Sequence, residues 1–265
     1  MFSLLTRFSL ADGPWESAKL IFWYLSLQYK KRFLRITDPA LPLQLRLHWK
    51  EHRFIFEVRT IIDLHVVNEV FLTNEYVFTP EKPISSMLDI GANIGASVVC
   101  FALLFPHARI AAFEPNPNCF SSLIKNTAQF GERIILHQEA ITETNASITF
   151  YTNQEHWGGS LMKRSEGSSY QVNGVTLKTA LQKLHWSHVD FVKMDIEGGE
   201  YAVAQDLHSL HPETIIAEVH PDITGIPYEA FRESFPDYED RMYYQHNQRK
   251  VIQLVRTDDM VSYPV

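Results

Sequence analysis

The sequence predicts an α/β protein built on a mostly parallel sheet with helices on both faces, preceded by a helical and strand-bearing extension. Three observations lead there. From residue 86 onward, short apolar runs alternate with segments whose apolar residues fall at helical spacing, as buried parallel strands and their covering helices do. A glycine turn, Asp89-Ile-Gly-Ala-Asn-Ile-Gly95, joins the first such run to the first such helix. An acid, Glu114, closes the second run.

The elements follow in order. Residues 15–35 read as a helix. Residues 43–60 and 62–72 contain strand-like runs such as Phe54-Ile-Phe-Glu-Val58, with alternating character. Pro80 and Pro83 punctuate the chain and divide an extension, 1–80, from a main domain, 81–265. In that domain 86–90, 109–113, 133–137, 189–194 and 214–219 are strands. Helices are expected over 94–105, 116–130, the later part of 175–184, and 228–235. The run 148–152 reads as an inserted hairpin arm. Residues 242–245 and 251–255 are closing strands, giving seven in the main sheet.

Composition limits the function classes. The chain has 265 residues, 45% of them apolar, so a sizeable core is expected. Its net charge is -7, yet residues 1–53 carry nine Lys/Arg against four Asp/Glu, so the body is strongly acidic. An acidic body argues against a nucleic-acid partner, because phosphate contact needs a basic face. The two cysteines, Cys100 and Cys119, sit in apolar helical settings and read as buried thiols of a reducing compartment. The apolar run 20–27 is too short to span a bilayer. It reads as a helix docked on the domain, although the adjoining Lys30-Lys-Arg32 leaves membrane contact through a basic N-terminus as the other reading. No convincing signal peptide precedes it, so a cytoplasmic protein is expected.

Glycines in a strand-to-helix turn let a ligand lie against the backbone, and the helix start offers unpaired N–H groups. Two ligand classes compete. The dinucleotide fingerprint is G-x-G-x-x-G, but Asn93 occupies the position of its second glycine. The acid Asp89 before Gly91, with Ala92, Asn93 and Gly95 after it, suits an S-adenosylmethionine loop better, with Asp89 bonding the cofactor's ammonium directly or through water. Glu114, followed by Pro115 and Asn116, stands where an acid accepts two ribose hydroxyls. Glu139 and Ala140, after the third strand, should meet the adenine edge.

A further set of residues narrows the reading. Lys193-Met-Asp-Ile-Glu-Gly-Gly-Glu200 resembles the K-x-D-x-E-G-x-E signature of the FkbM family of class I S-adenosylmethionine-dependent methyltransferases, which have a Rossmann-like fold. Ala217-Glu-Val-His220 resembles that family's fifth-strand end. Asp63, Asn74-Glu-Tyr76 and Val175-Thr-Leu177 fit its other segments. The resemblance covers about residues 54–220. It implies biosynthetic O-methylation of a hydroxyl on a sugar, polyketide or other natural-product or glycan acceptor, and is compatible with a homodimer.

Methyl transfer from a sulfonium leaves a neutral sulfur, so the protein positions, desolvates, and removes the hydroxyl proton. Asp195 ends the fourth strand beside the expected sulfonium and can attract it or orient the acceptor. Glu197 lies before Gly198-Gly199, where the chain can turn sharply. His220, with an ordinary pKa near neutrality, is a candidate base. Glu200 reads as a favourable charge in the first turn of a helix. Asp195 with Glu218 or His220 could hold a divalent metal, but metal-free chemistry is preferred. Trp157, in Glu155-His-Trp-Gly-Gly-Ser160, could stack on a sugar ring. The segment 242–246 reads as core strand. Two rival readings stay open: a nicotinamide-dependent oxidoreductase, and a non-catalytic binding module that retains the fold.

Overall fold

The computed structural model describes residues 9–34, 41–153, 159–160, 167–246 and 249–257. Its centre is a seven-stranded sheet built from β3 (Ser86–Ile90), β4 (Arg109–Phe113), β5 (Ile134–His137), β10 (Phe191–Met194), β11 (Thr214–Val219), β12 (Tyr238–His246) and β13 (Arg249–Arg256). The spatial order is β12-β13-β11-β10-β3-β4-β5. Strands β11, β10, β3, β4 and β5 run parallel, and β13 pairs antiparallel with both β11 and β12. This is the mostly parallel sheet expected, with a Rossmann-like connectivity. The chain order reverses between β3 and β10, and a crevice opens there outside the carboxyl ends of the strands.

Buried apolar residues lie on both faces of the sheet. On one side α3 (Ala96–Leu104) and α4 (Pro117–Thr127) join the first cluster, with Val98, Phe101 and Leu123 fully covered. On the other, α5 (Leu177–Leu184) and α6 (Glu200–Ser209) bury Leu177, Ala180, Val203 and Leu207 against β10 and β11. The short helices α7 (Pro221–Thr224) and α8 (Tyr228–Arg232) follow β11. A smaller sheet, in the order β6-β9-β7-β8, extends the expected arm: β6 (Ala140–Ile141), β7 (Ser147–Asn153), β8 (Gly159–Ser160) and β9 (Gly167–Val175). Trp157 lies outside the described residues. Both cysteines are buried thiols, Cys100 in α3 and Cys119 in α4.

Ahead of the sheet stand α1 (Pro14–Tyr29), the hairpin β1 (Leu43–Trp49) and β2 (His52–Val58), and α2 (Ile61–Phe71). The expectation of strand over 62–72 is corrected here, because that run is α2. Its β-branched residues favour strand, but tertiary burial overrides that preference. Leu64, Val67, Val70 and Phe71 are buried together at helical spacing, and the Thr60 hydroxyl caps the helix by accepting from the Asp63 N–H at 3.0 Å. The buried residues of β1, β2 and α2 form one continuous cluster with those of α3 and β4. Asn126 of α4 ties the two parts: its carbonyl oxygen accepts from the Glu57 N–H at 2.7 Å, and its amide donates to the Ile94 carbonyl at 2.9 Å.

Helix α1 docks through Leu20 and Trp23, the latter donating its indole N–H to the Leu41 carbonyl at 3.1 Å. Its outer side exposes Trp15, Phe22 and Leu25. Among the described residues no helix is long and apolar enough to cross a membrane.

Candidate active site

The glycine turn is the hinge of the site. Gly91 has φ +81° and Gly95 φ +89°, left-handed values that suit glycine. A Cβ on Gly91 would stand 1.8 Å from the Asp195 carbonyl oxygen, because β10 ends against the turn. What comes close to the backbone at Gly91 is therefore first the chain itself. A Cβ on Gly95 would lie 2.8 Å from Leu123 of α4. Asn93, between them, also has positive φ, at 49°.

Two clefts open on either side of Asn93 and Asp195, which line both. The first runs over the ends of β3, β4 and β5. Gly91, Glu114, Pro115, Glu139, Ala140 and Phe150 line it together with apolar neighbours. The Glu114 carboxylate accepts from the Asn93 N–H at 2.8 Å and the Asn116 N–H at 2.7 Å. Burial pushes this acid up to about 7, against the lowering pull of those two bonds. Glu139 accepts from Asn173 at 2.6 Å and Lys183 at 2.5 Å through one oxygen, while its other oxygen is buried without a hydrogen bond.

The second cleft is densely charged. Glu69 and Glu75 reach it from α2 and the turn after it, Lys193 and Glu218 from β10 and β11, and Arg249 from β13. Burial, with the charges of Glu218 and Glu69, pushes Glu75 up to about 8. Burial also raises Asp195 well above the carboxylate range, helped by Glu218 and opposed by Lys193. Glu218 itself is lowered: burial acts to raise it, but His220, Arg249 and Lys193 outweigh that.

Beneath this cleft lies His220, fully buried. The carboxylate of Glu200, equally buried, accepts from the Ile196 and Gly198 N–H groups at 3.1 and 3.0 Å. Glu200 also stands 3.0 Å from His220 Nδ1. A carboxylate engaged in this way only accepts, so Nδ1 carries the proton and Nε2 points away from Glu200. Nε2 faces three carboxylates: Glu218 at 3.4 Å, Glu197 at 3.7 Å and Asp195 at 3.9 Å. Burial alone would lower the imidazole pKa, but Glu200 and Glu218 outweigh it and raise His220 to about 11.

The sequence-expected residues separate into groups. Gly91, Asn93, Glu114, Pro115, Glu139, Ala140 and Asp195 line the first cleft, while Ala92, Asn93, Asp195 and Glu197 line the second. Asp89, expected to bond a ligand ammonium directly or through water, lies fully buried under the loop. It accepts from the Ser97 hydroxyl at 2.5 Å and pairs with Lys193 at 3.3 Å, and Lys193 donates to the Gly91 carbonyl at 2.7 Å. Its place is to brace the turn. Gly95 packs on α4, and the Asn116 side chain is spent capping α4 by accepting from the Asn118 N–H at 2.9 Å. The expectation of a near-neutral His220 is corrected by the carboxylates around it. Glu200 carries more than a first-turn charge, since it fixes both the Glu197–Gly198 turn and the His220 ring. Glu69, Glu75, Lys193 and Arg249 were not singled out for this cleft. Two sequence signals touch them: Lys193 opens the K-x-D-x-E-G-x-E string, and Glu75 lies in Asn74-Glu-Tyr76.

A seven-stranded sheet with a glycine turn, an acid after the second strand and a charged cleft at the switch point defines a Rossmann-like class I methyltransferase. The methyltransferase FkbM domain model matches residues 89–250, and the chain belongs to that family of S-adenosylmethionine-dependent methyltransferases. Among curated relatives, Methyltransferase 1 of Beauveria bassiana is 27% identical over 171 residues, covering 56% of this chain and 68% of that protein. The 2-O-methyltransferase NoeI of Sinorhizobium fredii is 28% identical over 137 residues, 45% of this chain and 56% of that protein. Hexuronic acid methyltransferase AglP of Haloferax volcanii is 25% identical over 143 residues, 51% of this chain and 56% of that protein. The chain thus matches little more than half the length of the last two.

The first cleft fits the family's cofactor. It offers a buried acid with acceptor capacity left for ribose hydroxyls and an unbonded buried oxygen on Glu139, with Gly91 in its lining.

Proposed function

We propose that the protein transfers the methyl group of S-adenosylmethionine to a hydroxyl of a sugar or glycan acceptor. The observation that carries this is the position of Asp195, in the wall of both clefts, where a donor on one side meets an acceptor on the other. The polar second cleft suits a polyhydroxylated acceptor better than an apolar polyketide. The names of two relatives, a 2-O-methyltransferase and a hexuronic acid methyltransferase, point the same way.

In this reading Gly91, Asn93, Glu114, Pro115, Glu139 and Ala140 hold the cofactor, and Asp89 supports them from below. Bound there, S-adenosylmethionine supplies an electrophilic methyl whose leaving sulfur departs neutral, keeping the bond's electron pair. Asp195, in the wall between the clefts, would attract the sulfonium and orient the acceptor hydroxyl. Glu197, at the mouth of the second cleft, takes the hydroxyl proton as the oxygen–carbon bond forms. His220 and Glu200 hold these two carboxylates in place. The walls of the cleft limit water, which would otherwise compete for the hydroxyl. The acceptor cleft is partly the work of the extension, through Glu69 and Glu75.

The test is formation of S-adenosylhomocysteine by the purified chain with free hexuronic acids, methyl glycosides and simple phenols, and calorimetric binding of S-adenosylmethionine against NAD. Turnover with the sugars and binding of the methyl donor alone are expected. Turnover only with phenols would overturn the acceptor class, and binding of NAD alone would overturn the reaction.

A further inference from the structure

The least expected feature of the site is the buried His220. Its Nε2 is fully buried and makes no hydrogen bond, as is Oδ1 of Asp195. A ring locked by Glu200 on Nδ1 aims its other nitrogen into a nest of three carboxyl groups. The positive centre among these oxygens is either the second proton of the imidazolium or a metal ion that takes that proton's place on Nε2.

We infer that Asp195, Glu218 and His220 bind one divalent cation, of the hard kind that magnesium and manganese represent. One ligand atom from each lies within 4.8 Å of the others. Two ligands about 2.1 Å from one ion, at right to tetrahedral angles, stand roughly 3.0–3.4 Å apart. Glu218 Oε1 is already 3.4 Å from Nε2, and Asp195 Oδ1, at 3.9 Å, needs only a small inward shift. A histidine that ligates a metal through one nitrogen commonly donates its other N–H to a carboxylate, and Glu200 occupies that position. Carboxylate-rich ligation favours magnesium or manganese over softer ions. The second cleft opens on Asp195 and Glu218, so the ion's remaining positions face the acceptor. The inference deepens the proposed reaction, since the ion would bind the acceptor hydroxyl with a neighbouring oxygen and favour its deprotonation toward Glu197. Binding of the ion does not depend on that reading.

Manganese alone is the probe. The full chain, stripped with chelator, is titrated with Mn²⁺ and followed by electron paramagnetic resonance, with electron spin echo modulation to detect a ligating nitrogen. One bound ion per chain with ¹⁴N coupling is expected. Glu218→Gln should weaken Mn²⁺ at least tenfold, and His220→Gln should remove the ¹⁴N coupling. Calorimetry on the same samples should find S-adenosylmethionine affinity within about twofold of the parent, which separates failure of the ion site from failure of the cofactor site. Glu218→Gln lies at the cleft wall and carries the test should the buried His220 variant not fold. Failure of Mn²⁺ to bind at millimolar concentration overturns the inference. So does binding that survives Glu218→Gln but is lost in His208→Ala, which would move the ion to the surface group of His208, His211 and Asp237.

Discussion

The two clefts share Asn93 and Asp195 but are built in opposite ways. The first is formed largely by backbone and apolar side chains from consecutive strand ends, with Glu114 as its central acid. The second gathers five carboxylates and two cations from α2, β10, β11, β13 and the turns beside them. A shared cofactor can be held by a short contiguous piece of chain, whereas an acceptor site is assembled from distant ones. The first depends on loop shape, the second on a balance of buried charge.

The sharpest way to break both at once is Gly91→Val. The new Cβ would overlap the Asp195 carbonyl oxygen and would hold a β-branched residue at φ +81°. Strain of about 3 kcal/mol or more translates into roughly 100-fold weaker cofactor binding. Calorimetry with S-adenosylmethionine checks it, and normal affinity would remove the turn from the site. Asp195→Asn keeps the shape but removes the carboxyl that a cationic donor beside it would ionise. Turnover should fall on the order of 10²–10⁴-fold, with circular dichroism unchanged. Full activity would strip Asp195 of its role.

Glu200→Gln separates the two clefts. It disturbs the His220 ring and the 197–198 turn, and should lower kcat about 10–100-fold. The cofactor's Kd and the acceptor's KM should change little, because neither cleft wall includes Glu200. A rise in the cofactor's Kd equal to the loss in kcat would mean that the clefts are not separable. A milder change is expected from Glu75→Ala, which removes a polar group from the acceptor side alone. Loss of one hydrogen bond, about 1 kcal/mol, predicts a several-fold rise in acceptor KM at constant cofactor affinity.

The same contrast explains what could be read from the sequence. Gly91, Asn93, Glu114 and Glu139 lie at the ends of successive strands, so chain order alone placed them. Glu218 and His220 stand two residues apart, so strand alternation puts them on one side, and both lie close to Asp195. The link from Glu200 to His220 spans twenty residues and no local pattern announces it. The Asp89–Lys193 pair was not legible, because Lys193 comes from β10, a neighbour only in the sheet. Residues 62–72 looked like strand because the burial that makes α2 a helix is provided by α3 and the hairpin.

The subtlest effect belongs to the first cleft. Glu114 is buried, and burial lifts it from an ordinary 4.5 to about 7 while the Asn93 and Asn116 N–H groups hold it down. The groups that act on it are Lys193 and Asp89 below and the Cys119 thiol and Tyr170 phenol beside it, and burial pushes the last two up so that both stay neutral. A carboxylic acid whose folded pKa is raised favours folding while it holds its proton. That contribution is full below pH 4.5 and is lost as pH rises to about 7, so the ionised form is held at a cost in stability. Ribose hydroxyls donate to the ionised form and relieve that cost. Cofactor binding should therefore be strongest above pH 7 and weaken below it, by at most about tenfold per pH unit. Calorimetry at pH 6 and pH 8 measures the slope, and Glu114→Gln should flatten it while weakening binding at the higher pH. A slope that persists in Glu114→Gln would assign the titration to another group and leave Glu114 a brace for Asn93.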